Sequence, residues 1–180
     1  MQSNHLLNSL KAFAFRDQST YTMKNLSLEI KWGLIFTGMM LLWMLGERLA
    51  GLHGEHIAQH AIWTNAVMVP ALTIYWLALK DKRESFYGGK MTWTQGFKAG
   101  AIITAVVALL TPITQWLISA VISPDYFANA IEYGVSSGQT TKEDALAFFN
   151  LKSYIIMSFF GSIVMGLISA AIIALFVRRK

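Results

Sequence analysis

Long apolar runs constrain the fold of this chain more than any other feature. The run over residues 32–46 holds no charged residue, and three further runs are as apolar. A bilayer crossing needs about 20 predominantly apolar residues in an α-helix, and charged residues are costly within it. With 54% hydrophobic and 14% charged residues, the chain also departs from the balance of a soluble domain. The sequence therefore predicts an integral membrane protein with a single membrane domain.

The predicted fold class is all-α, a polytopic membrane protein with two helical hairpins. Pro70 and Pro112 predict kinks in the second and third helices, because proline lacks the N–H that an α-helix uses for hydrogen bonding. The first helix must carry Glu47 and Arg48 near one interface to reach the thickness of a bilayer. The four predicted transmembrane helices are at residues 30–52, 61–79, 99–122 and 154–177.

The charged segment 79–98, LKDKRESFYGGKMTWTQGFK, separates the two hairpins and holds five Lys and Arg residues. Basic loops stay on the cytoplasmic side of a membrane. If the chain crosses the membrane four times, twelve of the 15 Lys and Arg residues lie on the same side of the membrane as this loop, and three lie on the opposite side. Both termini are therefore predicted to be cytoplasmic. The charged residues of this segment are expected to form a solvated helix end: Asp81, Lys82, Arg83 and Glu84.

The N-terminal residues 1–22 are polar and mixed, and we predict that they form a disordered arm. Met23 lies directly before the first apolar run. We therefore expect the arm to be an extension from a misassigned start, with the four-helix transmembrane domain over residues 23–180.

The outer connection between the third and fourth spans carries two helix-start signals. The triplet 123–125, Ser-Pro-Asp, is typical of a helix N-terminus, and Thr140 with Glu143 is typical of a capping box. Aromatic residues follow both signals. Two short amphipathic helices are therefore predicted in this loop, on the outer membrane surface or over the mouth of the bundle.

Small residues recur at four-residue spacing in the third and fourth spans, and such stripes let helices approach closely in lipid. The first interpretation is that they pack the third helix against the fourth. The alternative is an interface with a second copy or with another membrane protein. The stripes comprise Gly96, Gly100, Thr104 and Ala108 in the third span, and Ser158, Ser162, Gly166 and Ala170 in the fourth.

Polar side chains within the spans are few, and they are costly enough in lipid to mark structure or function. Glu47, Asn65 and Gln115 lie near the outer ends of their helices. We expect Glu47 to hydrogen-bond Asn65 or Gln115 across helices. A structural clamp is the first interpretation, and a proton or ion site is the alternative.

The histidines of the first outer loop form the one pattern with metal chemistry. His53, His56 and His60 are spaced by three and four residues, which would place three imidazoles on one face of a helix. Imidazole together with carboxylate suits Zn²⁺ or a similar divalent ion. Gly51 and Gly54 argue against a continuous helix. The alternatives are a polar turn whose histidines cap helix ends, and a pH sensor.

Several function classes are disfavoured. The chain has no cysteine, which excludes a thiolate nucleophile and a cysteine metal site. Its basic residues lie at the ends of apolar runs rather than in a stripe, which disfavours nucleic acid as a partner. The first hypothesis is a non-enzymatic structural or accessory subunit in the lipid bilayer. The others are a small transporter or channel subunit, and a metal-binding membrane enzyme or sensor.

Distinctive segments of the chain are EIKWGLIFTGMMLLWMLGERLAGLHGEHIAQHAIWTN, ALKDKRESFYGGKMTWTQGFKAG, LLTPITQW, SPDYFANAIEYGV and FFNLKSYIIMSFFGSIVMG. Together they resemble the bacterial family called Domain of Unknown Function 4199, from about Leu28 to the C-terminus. The resemblance implies a small four-helix integral protein of the bacterial inner membrane, with no assigned activity. It carries no functional residues over to this chain.

Overall fold

The computed structural model describes residues 26–180, and its first helix, α1, is bounded at Gln2–Leu49. The predicted arm over residues 1–22 and the start at Met23 lie outside the described residues. No strand occurs between residues 26 and 180, so the predicted all-α class is confirmed. The other helices are α2 (Ile57–Trp63), α3 (Met68–Ser85), α4 (Trp93–Leu117), α5 (Tyr126–Ser136), α6 (Lys142–Phe148) and α7 (Leu151–Val177).

Four helical segments in this part of the chain are long and apolar enough to cross a membrane, which confirms the predicted four-span architecture. The third and fourth begin six and three residues before the predicted spans, because polar residues cap these helices outside the apolar runs, and the second begins four residues early, at Ile57. At α4, for example, Thr92 and Gln95 form a capping box. The segments are Leu26–Leu49, Ile57–Ser85, Trp93–Ile122 and Leu151–Val177.

The two short helices predicted in the outer loop are α5 and α6, but their caps differ from the prediction. The hydroxyl of Thr141, not Thr140, accepts a hydrogen bond from the backbone N–H of Asp144 at the start of α6. No side chain caps α5. The helices were predictable from their flanking residues, whereas the capping residue was wrong by one position.

Both prolines lie close to irregular helical turns. A 3₁₀ turn at Thr64–Val67 joins α2 to α3 just before Pro70. Pro112 lies inside α4, which ends in a π-helical turn at Ile118–Ile122. In that turn the backbone N–H of Ser123 donates to the carbonyl oxygen of Ile118 at 2.7 Å. Single π-helical turns are frequent at functional sites.

The bundle is tightly packed at one end and open at the other. Helix α4 is central and contacts α1, α3 and α7. The loop 86–92 and the C-terminus lie at the packed end, here called the basic end; the loop 50–56, α5 and α6 lie at the opposite end, here called the histidine end. The buried core at the basic end comprises Tyr75, Ala78, Leu79, Met91, Ala99, Ile103, Ala170, Ile173, Ala174 and Val177.

Six of the eight small residues predicted to pack these helices lie in the contact between α4 and α7: Gly96, Gly100, Thr104, Ser158, Gly166 and Ala170. A Cβ atom added at Gly96 or Gly100 would meet Ala174 or Ala170, and one added at Gly166 would lie 2.6 Å from the side chain of Thr104. Ser158 accepts a hydrogen bond from Gln115 of α4, and together with Ser162 it lines a cavity. Gly96, Gly100 and Gly166 are covered by the facing helix of the same chain, so they are not available to a second copy or to a partner protein. The oligomer and partner hypotheses stay predictions, without an identified interface.

A buried ion pair at the basic end joins the first two spans. Lys82 Nζ lies 2.7 Å from Glu29 Oε1, and neither side chain is more than 2% exposed. The ammonium also lies 4.1 Å from the centre of the Phe86 ring. The expectation of a solvated helix end is therefore wrong for Lys82, because its side chain points into the bundle and pairs with the Glu29 carboxylate of α1.

Polar contacts around this pair hold the basic end together. Asp81 accepts hydrogen bonds from Lys31 at 2.9 Å and from the indole of Trp32 at 2.8 Å. The backbones of Met91 and Arg179 exchange two hydrogen bonds of 2.9 Å, which tie the loop to the C-terminus. Both hairpins are thus joined where the bundle is most compact.

Candidate metal site at the histidine end

The end of α1 reverses the chain and carries His53 back over Glu47. Gly51 adopts a φ of +76°, a conformation that glycine favours. The N–H of Gly51 bonds to the carbonyl oxygen of Arg48, and the N–H of Leu52 bonds to that of Glu47, both at 3.0 Å. This is a Schellman motif. The glycine that argued against a continuous helix is therefore the residue that builds the site.

Two imidazoles converge on one carboxylate oxygen. Nε2 of His53 lies 3.2 Å and Nε2 of His60 lies 3.3 Å from Oε2 of Glu47. The side chains of Glu47 and His53 are almost completely buried, and that of His60 is 17% exposed. One possible ligand atom from each of the three residues lies within 4.8 Å of the other two. A loop, a helix end and α2 thus assemble a His₂Glu cluster.

Other side chains fix the orientation of this cluster. Nδ1 of His53 lies 2.6 Å from the hydroxyl oxygen of Ser123, at the end of the π-helical turn. The indole N–H of Trp43 donates to Oε1 of Glu47 at 2.6 Å, and the amide of Asn129 donates to the carbonyl oxygen of His53 at 2.8 Å. Oε2 of Glu47 and Nε2 of His53 therefore face the centre of the cluster while the other polar atom of each side chain is held.

Tyr126 covers both histidines. Its ring makes edge contacts with His53 and His60, at centroid distances of 5.1 Å and 5.3 Å. Its hydroxyl lies 3.2 Å from that of Tyr154. Burial raises the pKa of the Tyr126 phenol, and the nearby charge of Glu47 raises it further. The phenol therefore stays neutral at physiological pH and forms an uncharged wall of the site.

The structure does not bring the other predicted polar residues to Glu47. The side chain of His56 is 53% exposed and lies 3.6 Å from the exposed carboxylate of Glu55. The amide of Asn65 donates to the carbonyl oxygen of Ala61, and that of Gln115 donates to Ser158 on α7. His53 and His60 meet through the turn at Gly51, and the regular helical spacing that groups His56 with them does not exist here.

The comparison with protein families gives one match. The model of the family described as "Protein of unknown function (DUF4199)" matches residues 31–179. The chain belongs to this family. No curated protein matches it, and no solved structure does. Within this DUF4199 protein, the match includes Glu47, His53, His60 and Ser123, as well as all but the start of the first span.

The geometry of the DUF4199 site suits a divalent transition-metal ion. Zn²⁺ binds imidazole nitrogen and carboxylate oxygen at about 2.0–2.2 Å, so two ligands of a tetrahedral site lie about 3.3–3.5 Å apart. The two N···O distances of 3.2 Å and 3.3 Å are close to that spacing. A metal-ligating histidine usually donates its other ring N–H to an oxygen, as the Ser123 hydroxyl allows for His53.

A cavity lies beside the cluster. It has a volume of about 350 Å³, lies between α2, α5 and α6, and is bordered by His60 and Tyr126. His60 is the more exposed of the two histidines. The cluster is therefore more accessible from the side of His60 than from the side of His53 and Ser123, which are buried.

Proposed function

We propose that this DUF4199 protein is a membrane protein that binds a divalent transition-metal ion, with zinc as the best match. The supporting observation is the convergence of His53 and His60 on one oxygen of Glu47, with Ser123 behind His53. Three protein ligands leave a fourth position free. Structural zinc sites are normally closed by four protein ligands, whereas catalytic zinc sites use three and keep the fourth position for water or substrate, so this site is not of the structural kind.

The chain offers a matched control for each ligand. His56 and Glu55 belong to the same loop, but their side chains are exposed and outside the cluster. Metal binding to the protein in lipid nanodiscs, measured by elemental analysis and by titration calorimetry with ZnCl₂, tests the proposal. We expect one zinc per chain, lost in His60→Ala and Glu47→Gln and kept in His56→Ala and Glu55→Gln.

Two results would contradict the proposal. The first is a wild-type protein that takes up no zinc, in which case the cluster is a hydrogen-bonded clamp. The second is an equal loss of binding in His56→Ala and His60→Ala, which would place the ion in the exposed loop. Thermal unfolding of each variant distinguishes a lost ligand from a lost fold.

We also propose that the basic end faces the cytoplasm of a bacterial inner membrane, with the histidine end outside. The excess of Lys and Arg at the basic end supports this orientation. Because the chain has no cysteine, single introduced cysteines can be labelled cleanly. An impermeant maleimide added to intact cells should label Ser137→Cys and not Ser85→Cys. The reverse pattern would overturn the orientation, and with it the outer location of the cluster.

A further inference from the structure

The four spans separate towards the histidine end around a cavity of about 460 Å³. This volume lies within the range of small-molecule sites in proteins, about 300–1,000 Å³. The cavity is bounded by α1, α3, α4 and α7 and ends blindly against Phe36 and Tyr75, above the packed core. Its lining includes neither Glu47 nor the histidines, and Thr64, which lines it, hydrogen-bonds Glu47 from the other side.

The cavity opens sideways between α3 and α7. Met68 on α3 and Met165 on α7 line it and are about half exposed, whereas Tyr75 and Gly166 at its depth are buried. Gly161 lies on the open edge, and a Cβ atom added there would meet nothing within 4 Å. Because both helices span the bilayer in this part of the bundle, the opening faces lipid. A molecule dissolved in the membrane has direct access to it.

Five hydroxyls of the cavity are hydrogen-bond acceptors whose own hydrogens are already used, whereas Ser158 accepts from the amide of Gln115. Four hydroxyls donate to carbonyl oxygens of their own helices and so present only lone pairs. The hydroxyl hydrogen of Tyr75 is also used. Thr104 donates its own hydroxyl hydrogen to the carbonyl oxygen of Gly100, so it accepts the hydrogen bond that the Tyr75 hydroxyl donates. The four are Thr37, Thr111, Thr114 and Ser162, which donate to Gly33, Val107, Leu110 and Phe159.

No charged side chain lines this cavity. An ionic ligand would be buried there without a counter-charge, at a large cost in free energy. A lipid acyl chain would leave the hydroxyl lone pairs without donors. A transmembrane helix from a partner uses its backbone donors internally and would run past the blind end of the cavity rather than fill it. The remaining match is an uncharged molecule that carries donors of its own.

We propose that this cavity binds an uncharged, membrane-soluble small molecule with an apolar body and hydroxyl or N–H donors. Apolar side chains such as Met40, Leu72 and Val107 contact the body, and the hydroxyl oxygens accept its hydrogen bonds. This inference is independent of the metal proposal, because the two sites share no ligating residue.

A matched pair of probes tests it. 2-Naphthol has one O–H donor, and 2-methoxynaphthalene has the same ring system without it. Equilibrium binding of each is measured in nanodiscs that contain the protein, with empty nanodiscs of the same lipids as background. We expect saturable binding of 2-naphthol, with one molecule per chain. The ether should bind about fivefold to tenfold more weakly, as the loss of one hydrogen bond implies.

Two variants locate the bound probe. Gly161→Leu fills the open space of the cavity without a backbone clash and should abolish saturable binding. Gly38→Leu is the control, because a Cβ is also unhindered there but Gly38 does not line this cavity, and it should keep saturable binding. Thr111→Val removes one acceptor with little change in shape. It should lower the affinity for 2-naphthol and leave that for the ether unchanged.

Three outcomes would overturn the inference. Equal affinities for naphthol and ether would refute the role of donors. Unchanged binding in Gly161→Leu would place the probe elsewhere. A crosslinked dimer that is lost in Gly161→Leu, with no saturable probe binding, would assign the opening to a second copy of the chain. Binding that persists in Glu47→Gln, which disrupts the metal cluster, keeps this test separate from that of the zinc site.

Discussion

Replacement of Lys82 by methionine should strongly destabilise the bundle. The ammonium lies 2.7 Å from Glu29 Oε1, and both side chains are at most 2% exposed. Lys82→Met removes the cation but leaves a buried carboxylate without its partner. Breaking a buried ion pair in this way typically costs about 3–5 kcal/mol in the free energy of unfolding. Methionine is close to lysine in shape, so little of that loss would come from packing.

The double variant Glu29→Leu, Lys82→Met should recover most of this stability. It replaces both charges by apolar groups, and such replacements of a buried pair are often neutral or stabilising. Stability can be measured by unfolding the protein from mild detergent micelles with increasing mole fractions of sodium dodecyl sulfate. The double-mutant cycle then isolates the coupling between the two side chains.

Lys80→Met is the matched control, because Lys80 lies two residues earlier on α3 and is exposed. We expect Lys80→Met to change the unfolding free energy by less than about 0.5 kcal/mol, as surface substitutions usually do. The reasoning would be refuted if Lys82→Met were no more destabilising than Lys80→Met, or if the double variant were as unstable as the single one.

Three further predictions concern packing and metal affinity. Gly166→Leu should lower the unfolding free energy in the same assay by about 3 kcal/mol or more, because its Cβ would lie 2.6 Å from the Thr104 side chain, whereas Gly161→Leu should be nearly neutral. Ser123→Ala should weaken zinc binding about 10- to 100-fold in calorimetric titrations, since Ser123 orients His53, and Ser136→Ala should leave it unchanged. Zinc affinity should fall as the pH is lowered, because metal ligands must be deprotonated to bind the ion; a pH-independent affinity would argue against histidine ligands.

The fold could be predicted from the sequence because the bilayer sets the length of its helices. Hydropathy located the four spans. The starts of the third and fourth were misplaced because the caps at Thr92 and Asn150 lie outside the apolar runs, and the second continues to Ser85, past its predicted end. Lys82 was not predictable in the same way. It lies in a segment of mixed charge, and its burial depends on the rotation of α3 relative to α1, which brings it to Glu29. One sequence without structural context does not specify that rotation.

The candidate site was partly predictable. The histidines and Glu47 are recognisable as ligand types, but helical spacing groups His56 with the other two and gives no reason to add Ser123. Gly51 was the usable signal. A glycine just after an apolar run is typical of a helix C-terminus, and a Schellman turn there folds the next residues back onto the last helical turn. That reasoning selects His53 and Glu47, which lie on the two sides of the turn.

The most direct test of the metal proposal is the zinc content of the purified protein in nanodiscs, compared between His60→Ala and His56→Ala. The two histidines are four residues apart, but Nε2 of His60 lies 3.3 Å from Glu47 whereas the side chain of His56 is 53% exposed. We predict one zinc per chain in the wild type and in His56→Ala, and none in His60→Ala. Absence of zinc from the wild type, or retention of zinc in His60→Ala, would contradict the proposed site.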